Sequence, residues 1–256
     1  MASMINIKDL YKTYSKHLVL KGLSLEVKRG EILVILGRSG VGKSVLLKHI
    51  IGIEKPDSGK VEIDGVDISN LSFVDLYKYI KNMGMLFQGA ALFDSMNIEQ
   101  NTGFYLEHNL DPTSKKKLNK KEIKEKVDAA LQMVGLEDAK EKMPSDLSGG
   151  MKKRAALARL IAYRPKILLY DEPTTGLDPI TSNQINELII KTQNELGGTS
   201  IIVTHDIHSA WYVADRLALH RDGKIIYIDT PEEFIKIDDP DIAYLKKTLT
   251  NFERGR

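Results

Sequence analysis

The chain has 256 residues, with 37 Lys and Arg against 35 Asp and Glu, a formal net charge of +2, and no cysteine. Such a length suits one α/β domain with a sub-domain and can bury a sizeable core. The balanced charge excludes a strong overall field toward nucleic acid or anionic lipid, and the missing cysteines exclude disulfides and thiolate metal sites.

In chain order, "MASMINIKDLYKTYSKH" holds no apolar run of signal-peptide length, so a chain that is not exported is expected. "MINIKDL" and "LSLEVKRG" read as β-rich segments, the second ending in a Lys-Arg-Gly turn. "EILVILG" (31–37) is apolar on both faces of the pleat, which predicts a buried parallel strand. It is only strand-length, and no window approaches the 18 or so apolar residues of a membrane span. "KSVLLKHIIG" follows with apolar residues at helical spacing and stops at Gly52. "GKVEIDGVDI" reads as a hairpin about Asp64-Gly65.

From about Ser69 to Arg164 the pattern is mostly helical, with few strand signals. Within it, "SKKKLNKKEIKEKVD" interleaves lysines with Glu122, Glu125 and Asp128 at helical spacing, which favours a solvated helix face over a lipid-binding one. "KILLYDE" and "TSIIVTH" are further buried-strand candidates, separated by the helical "DPITSNQINELIIKTQNEL". Strand–helix–strand with apolar strands implies a parallel sheet with right-handed crossovers. "LALHRDGKIIYID" closes as a hairpin about Asp222-Gly223, and a helix or two with a basic tail follow. The expected fold is α/β: a core with a mostly parallel sheet that carries "GRSGVGKS" (37–44), a G-x-x-x-x-G-K-S phosphate loop or P-loop, an N-terminal antiparallel β sub-domain and a helical insertion. The core is expected at about 1–88 and 165–230, the helical sub-domain at about 89–164, and a helical tail at about 231–256.

Chemistry begins at "GRSGVGKS", which matches G-x-x-x-x-G-K-[ST] between a buried strand and a helix. Gly37, Gly40 and Gly42, with Arg38, Ser39 and Val41 between them, let the backbone curl so that its N–H groups face one phosphate chain. Lys43 then reaches the β- and γ-phosphates, and the Ser44 hydroxyl is a ligand for Mg²⁺. At the end of "ILLYDE", Asp171 is placed to hold Mg²⁺ and Glu172 to polarise an attacking water. His205, ending the next strand, is either a γ-phosphate contact or structural; Gln88, ending "MGMLFQ", is a candidate for Mg²⁺ and water. Tyr14 is either a base-stacking aromatic or core. A second anion-type turn, Ser148-Gly149-Gly150, opens "MKKRAALARLIAY". N-capping explains its serine, but the paired glycines admit close approach of a ligand. One chain has only one P-loop, so the turn is read as closing on ATP held by another subunit.

Taken together, the loop at 37–44, Gln88, "LSGGM", "LLYDE", "GLDPIT" and His205 resemble the nucleotide-binding subunit of an ABC transporter over nearly the whole chain. The resemblance implies a homodimer sandwiching two ATP molecules, with Tyr14 stacking on adenine. It further implies that Gln88 couples the site to a permease, Asp178 lies at the dimer interface, and His205 is the switch histidine. A narrower resemblance, carried by "MLFQGAALFDSMNIEQN", "MPSDLSGGMKKRAALARLIA" with its Met151, and "DEPTTGLDPIT", is to the Mla/Mce phospholipid-transport ATPases. It implies an integral-membrane permease, a lipid-binding substrate protein and residence at the cytoplasmic face of the inner membrane. The tail itself reads either as a surface helix with a frayed end or as a docking tail for a small accessory subunit. Three other readings stay open: an amino-acid or small-solute importer, a non-transport ABC ATPase and a P-loop kinase. No basic, aromatic-interleaved surface points to nucleic acid.

Overall fold

The computed structural model describes residues 2–254, so the last two residues of the expected tail lie outside the described residues. Two compact units form, Met1–Ile80 with Thr199–Arg256, and Lys81–Gly198.

In the first unit, β1 (Ser3–Tyr14) and β2 (His17–Lys28) make a long antiparallel hairpin turning at Ser15-Lys16. Both strands are longer than the segments read from sequence. Asp9 interrupts the alternation of β1, and the structure absorbs it as an irregularity with φ 48° between Ile7 and Leu10. Next come β3 (Ile32–Leu36), α1 (Lys43–Ile50), β4 (Ser58–Ile63), β5 (Val66–Asp67) and α2 (Phe73–Ile80). The β4–β5 turn is Asp64-Gly65, at φ 50° and 79°, the twin positive angles that an Asp-Gly hairpin turn requires. The antiparallel sheet runs β2-β1-β4-β5.

The second unit opens with β6 (Met83–Leu86), a fully buried strand inside the stretch that read as helical. Four residues with a glycine among them are too few to show a period. Then follow α3 (Ile98–His108), α4 (Lys120–Met133), α5 (Gly149–Tyr163), β7 (Ile167–Asp171) and α6 (Pro179–Leu196), with β6 and β7 paired in parallel. Helices α3, α4 and α5 pack mutually around Leu106, Val127, Leu131 and Leu157. The lysine-rich run is α4 together with the approach to it. Asn119 and Glu122 form a capping box, Val127, Ala130 and Leu131 are buried, and Lys124 pairs with Asp128 at 3.1 Å.

The chain then returns to the first unit with β8 (Thr199–Thr204), α7 (Ile207–Val213), β9 (Arg216–Arg221), β10 (Lys224–Asp229), α8 (Pro231–Phe234) and α9 (Pro240–Arg254). Its second layer orders the strands β10-β9-β3-β8. β3 is parallel to both β8 and β9, and only the β9–β10 hairpin, turning at Asp222-Gly223, is antiparallel. All residues of β3, β7 and β8 are buried, as expected where both faces of a sheet are covered. The fold is thus α/β with a mixed, mostly parallel sheet, an N-terminal antiparallel sheet and a helical insertion.

Candidate functional site

β3 delivers the chain into the loop 37–44 at its carboxyl end, and α1 leaves from it. A Cβ at Gly37 would lie 2.6 Å from the carbonyl oxygen of His220, so the loop runs directly against β9 and admits only glycine there. Lys43 is buried, and its Nζ donates to the carbonyl oxygens of Gly37 (2.6 Å) and Arg38 (3.0 Å), which centres the ammonium within its own loop. The N-cap of α1 is Gly42, at φ 106°, with no side-chain cap. The first N–H groups of that helix and its positive dipole end therefore face the loop without a side-chain oxygen of the cap to receive them.

His205, just past β8, lines a cleft of ≈ 560 Å³ with Gly37, Arg38 and Val41 of the loop, so the structure brings the histidine and the loop together. The same cleft is lined by His220. That imidazole is 1% exposed, and burial, with the Lys43 charge as a second cause, pushes its pKa down to about 4. It therefore stands neutral beside the loop. Tyr14, at the end of β1, is not core: its ring is half-exposed, its hydroxyl donates to the Glu54 carboxylate, and the Lys12 ammonium sits 5.5 Å from the ring centroid. Burial, reinforced by the bond to Glu54, holds the phenol above its ordinary pKa.

In the second unit Gln88 follows β6 with its side chain exposed. Asp171 ends β7, Glu172 follows, and both are buried. Glu172 has φ 48°, a left-handed backbone that a non-glycine residue keeps only where its surroundings over-determine it. Its Oε2 accepts from the Thr175 hydroxyl at 3.0 Å. Ser148 is the N-cap of α5, and its hydroxyl oxygen accepts from the Met151 N–H at 3.3 Å. A Cβ at Gly150 would lie 2.5 Å from Thr181 Cγ2, so α5–α6 packing alone demands that glycine. At Gly149 the nearest contact would be an ordinary 3.6 Å, and nothing within the unit requires a glycine. Asp178 is the N-cap of α6; it accepts from the Thr181 hydroxyl (2.6 Å) and from the N–H groups of Ile180 and Thr181. Those bonds, the Thr181 hydroxyl foremost, hold its carboxyl below the usual range.

The expected residues thus divide: Tyr14, the loop 37–44 and His205 belong to one unit, and Gln88, Ser148 to Gly150, Asp171, Glu172 and Asp178 to the other. Sequence reasoning overlooked His220, Glu54, Thr175 and Lys153. The last carried a faint signal, a lysine on the largely buried side of an Ala-rich helix.

A family model described as ABC transporter matches residues 20–175, more than half of the chain. The chain belongs to the ABC transporter family. It is 40% identical, over 93% of this chain and 88% of the other, to the intermembrane phospholipid transport system ATP-binding protein MlaF of Haemophilus influenzae. To the methionine import ATP-binding protein MetN of Carboxydothermus hydrogenoformans it is 42% identical over 87% of this chain and 65% of the relative. To the probable ribonucleotide transport ATP-binding protein mkl of Mycobacterium leprae it is 38% identical over 94% and 67%. The chain therefore spans about two thirds of the length of those two relatives. Among solved structures, cbiO1 of Clostridium perfringens superposes with TM-score 0.80 at 34% identity, covering 96% of this chain and 100% of that one. A dimeric post-hydrolysis state of the ATP-binding cassette MJ0796 with ADP and Pi gives 0.79 at 32% identity, covering 89% and 98%. ATP binding and hydrolysis are the chemistry of such cassettes, which form dimers and work with membrane permeases.

Proposed function

We propose that this chain is the ATP-hydrolysing motor of a transporter that moves phospholipid, closing as a homodimer on two ATP molecules and reopening after hydrolysis. The buried Asp171-Glu172 pair at the carboxyl end of an apolar strand carries the hydrolytic part of the reading. The loop 37–44 binds the phosphates through its backbone and Lys43, while Tyr14 offers a ring face to the base. Glu172 orients the attacking water and takes its proton, with His205 beside the γ-phosphate. Ser44, Gln88 and Asp171 each offer an oxygen donor of the kind Mg²⁺ prefers and are the residues that would hold the ion. When bound, Mg²⁺ neutralises charge on the phosphate oxygens. Ser148, Gly149 and Gly150 close over the γ-phosphate held by the other copy, and Asp178 lies at the contact between copies. The lack of any internal need for a glycine at position 149 supports this role.

In this reading the motor sits peripherally at the cytoplasmic face of the inner membrane, held by its permease; no helix among the described residues is long and apolar enough to cross a membrane. Met151 in the signature and the likeness to the Haemophilus phospholipid relative support the lipid cargo. A lipid-binding substrate protein and a small accessory subunit complete the proposed system. The second reading, an amino-acid importer, is favoured by the 42% identity to the methionine import relative. Purification with native membrane partners separates the two: a lipid-binding protein upholds the first, and a soluble amino-acid-binding protein establishes the second. Glu172→Gln is expected to slow phosphate release by about 10²–10⁴-fold and to trap an ATP-dependent dimer. Full activity in that variant would remove Glu172 from the role of base.

A further inference from the structure

We propose that Lys153 is a positioning residue for hydrolysis, tying the helix that begins at the Ser-Gly-Gly turn to the backbone at both Gln88 and Glu172. The proposal rests on the reading of Gln88 and Glu172 given above.

Lys153 lies on the second turn of α5 and is 5% exposed. Its Nζ donates to the carbonyl oxygen of Gln88 and, at 3.3 Å, to that of Glu172. Burial pushes the pKa of Lys153 below its ordinary value, and the nearby charges of Asp171 and Glu172 oppose that shift and favour the ammonium form. Taking an ammonium out of water is expensive, and it persists only where hydrogen bonds and opposite charge compensate. An apolar side chain would fill the same space without that cost, so what Lys153 adds is the pair of bonds. Both bonds end on backbone next to a side chain whose direction matters: the Gln88 amide and the Glu172 carboxylate.

Both stretches of backbone also need holding. Glu172 sits at φ 48°, and Ala90 and Ala91, just beyond Gln88, sit at φ 65° and 50°. Left-handed conformations are unfavourable for residues with a Cβ and persist when neighbours enforce them. The same helix supplies a second grip: Arg159 donates to the carbonyl oxygens of Ala91 (2.8 Å) and Ala90 (3.3 Å), with its guanidinium 5.8 Å from the Phe93 ring centroid. Helix α5 thus holds the Gln88 loop at two points and the Glu172 backbone at one. A displacement at Ser148, where the neighbour's nucleotide would press, is passed along α5 to Gln88 and Glu172 of the same chain. Lys153 is the one side chain in this set that touches both.

The test uses the full chain with Lys153→Met, Lys153→Gln and Lys153→Arg. Measurements are kcat, KM for ATP, the Mg²⁺ concentration for half-maximal rate, and Mg²⁺-free binding of a fluorescent ATP analogue. Lys153→Met is expected to lower kcat about 10–100-fold, as a misplaced catalytic group does. It should raise the half-saturating Mg²⁺ concentration about threefold or more, while analogue binding, which reads the loop 37–44, stays within about twofold. Lys153→Arg, which can donate to both carbonyls, should recover most of kcat. Lys153→Gln carries the same readout if the methionine variant does not fold. A kcat within about twofold of the parent in Lys153→Gln or Lys153→Met overturns the proposal, as does equal loss of analogue binding and kcat without rescue by arginine. Glu172→Gln separates the two levels of the argument. If it abolishes hydrolysis while the Lys153 variants are normal, only the positioning role fails. If Glu172→Gln is fully active, the site assignment fails first and the proposal with it.

Discussion

The two glycine-rich turns of this chain each open a helix, but they finish that helix end differently. At α1 the cap is Gly42, no side chain caps the end, and the buried Lys43 is folded back onto the carbonyls of Gly37 and Arg38. At α5 the cap is Ser148, whose oxygen already accepts the Met151 N–H. A helix start whose cap residue has no side chain, with a lysine folded into the loop before it, suits a phosphate directly, because the positive end of the helix dipole and the ammonium lie side by side. A capped start has one donor engaged and no basic side chain of its own inside the turn. It suits an additional contact to a phosphate held elsewhere, which is how the proposed sandwich uses it. The glycines differ too: Gly37 is demanded by the approach of β9, Gly150 by Thr181, and Gly149 by nothing inside its unit.

Removing the lysine gives the sharpest contrast between the turns. Lys43→Ala should reduce phosphate release at saturating ATP by about 10²–10³-fold, as loss of a charge aimed at the transferring group does. A variant that still hydrolyses ATP at the parent rate would abolish the distinction between the turns. The second turn is broken by Gly150→Ala, which should destabilise the protein by about 1–3 kcal/mol through overpacking, read from denaturant midpoints. Adding Thr181→Ser removes the clashing methyl but keeps the hydroxyl that Asp178 accepts from, so stability should return. If hydrolysis stays low in that stable double variant, the glycine serves a ligand; if it recovers in full, the glycine serves only packing.

The smallest effect is expected under the first turn, at His220. Its pKa falls from 6.5 when unfolded to about 4 when folded, through burial first and the Lys43 charge second. A depressed folded pKa means stability that is fully present above pH 6.5 and lost as the pH falls toward 4, because only the unfolded chain binds the proton readily. Lowering the pH from 7.5 to 5.5 should therefore cost about 1 kcal/mol from this group alone. His220→Leu should lose correspondingly less over that interval; an identical loss in both proteins would remove His220 as the source.

Much of the fold was legible because its signals are local. Asp64-Gly65 and Asp222-Gly223 announce their hairpins through the φ angles they tolerate, and the unbroken apolar runs of β3, β7 and β8 announce burial on both faces. β6 was hidden because "MGML" is too short to show a period, and β1 was truncated at Leu10 because the irregularity at Asp9 breaks its alternation. At the site, the loop 37–44 and the Asp171-Glu172 pair were readable as fixed spacings beside an apolar strand. Tyr14 and His205 were open between core and contact until the fold exposed one and set the other beside the loop.

By itself the sequence marked the candidate residues for phosphate chemistry and determined that the sheet is mostly parallel. Loop conformation, turn type and strand burial follow from neighbours along the chain. Only the tertiary structure decided why Gly37 and Gly150 must be glycine, why His220 is neutral, and what Lys153 holds. Those depend on atoms brought within a few ångströms by segments 19 to 183 positions apart, a distance along the chain that no local pattern records.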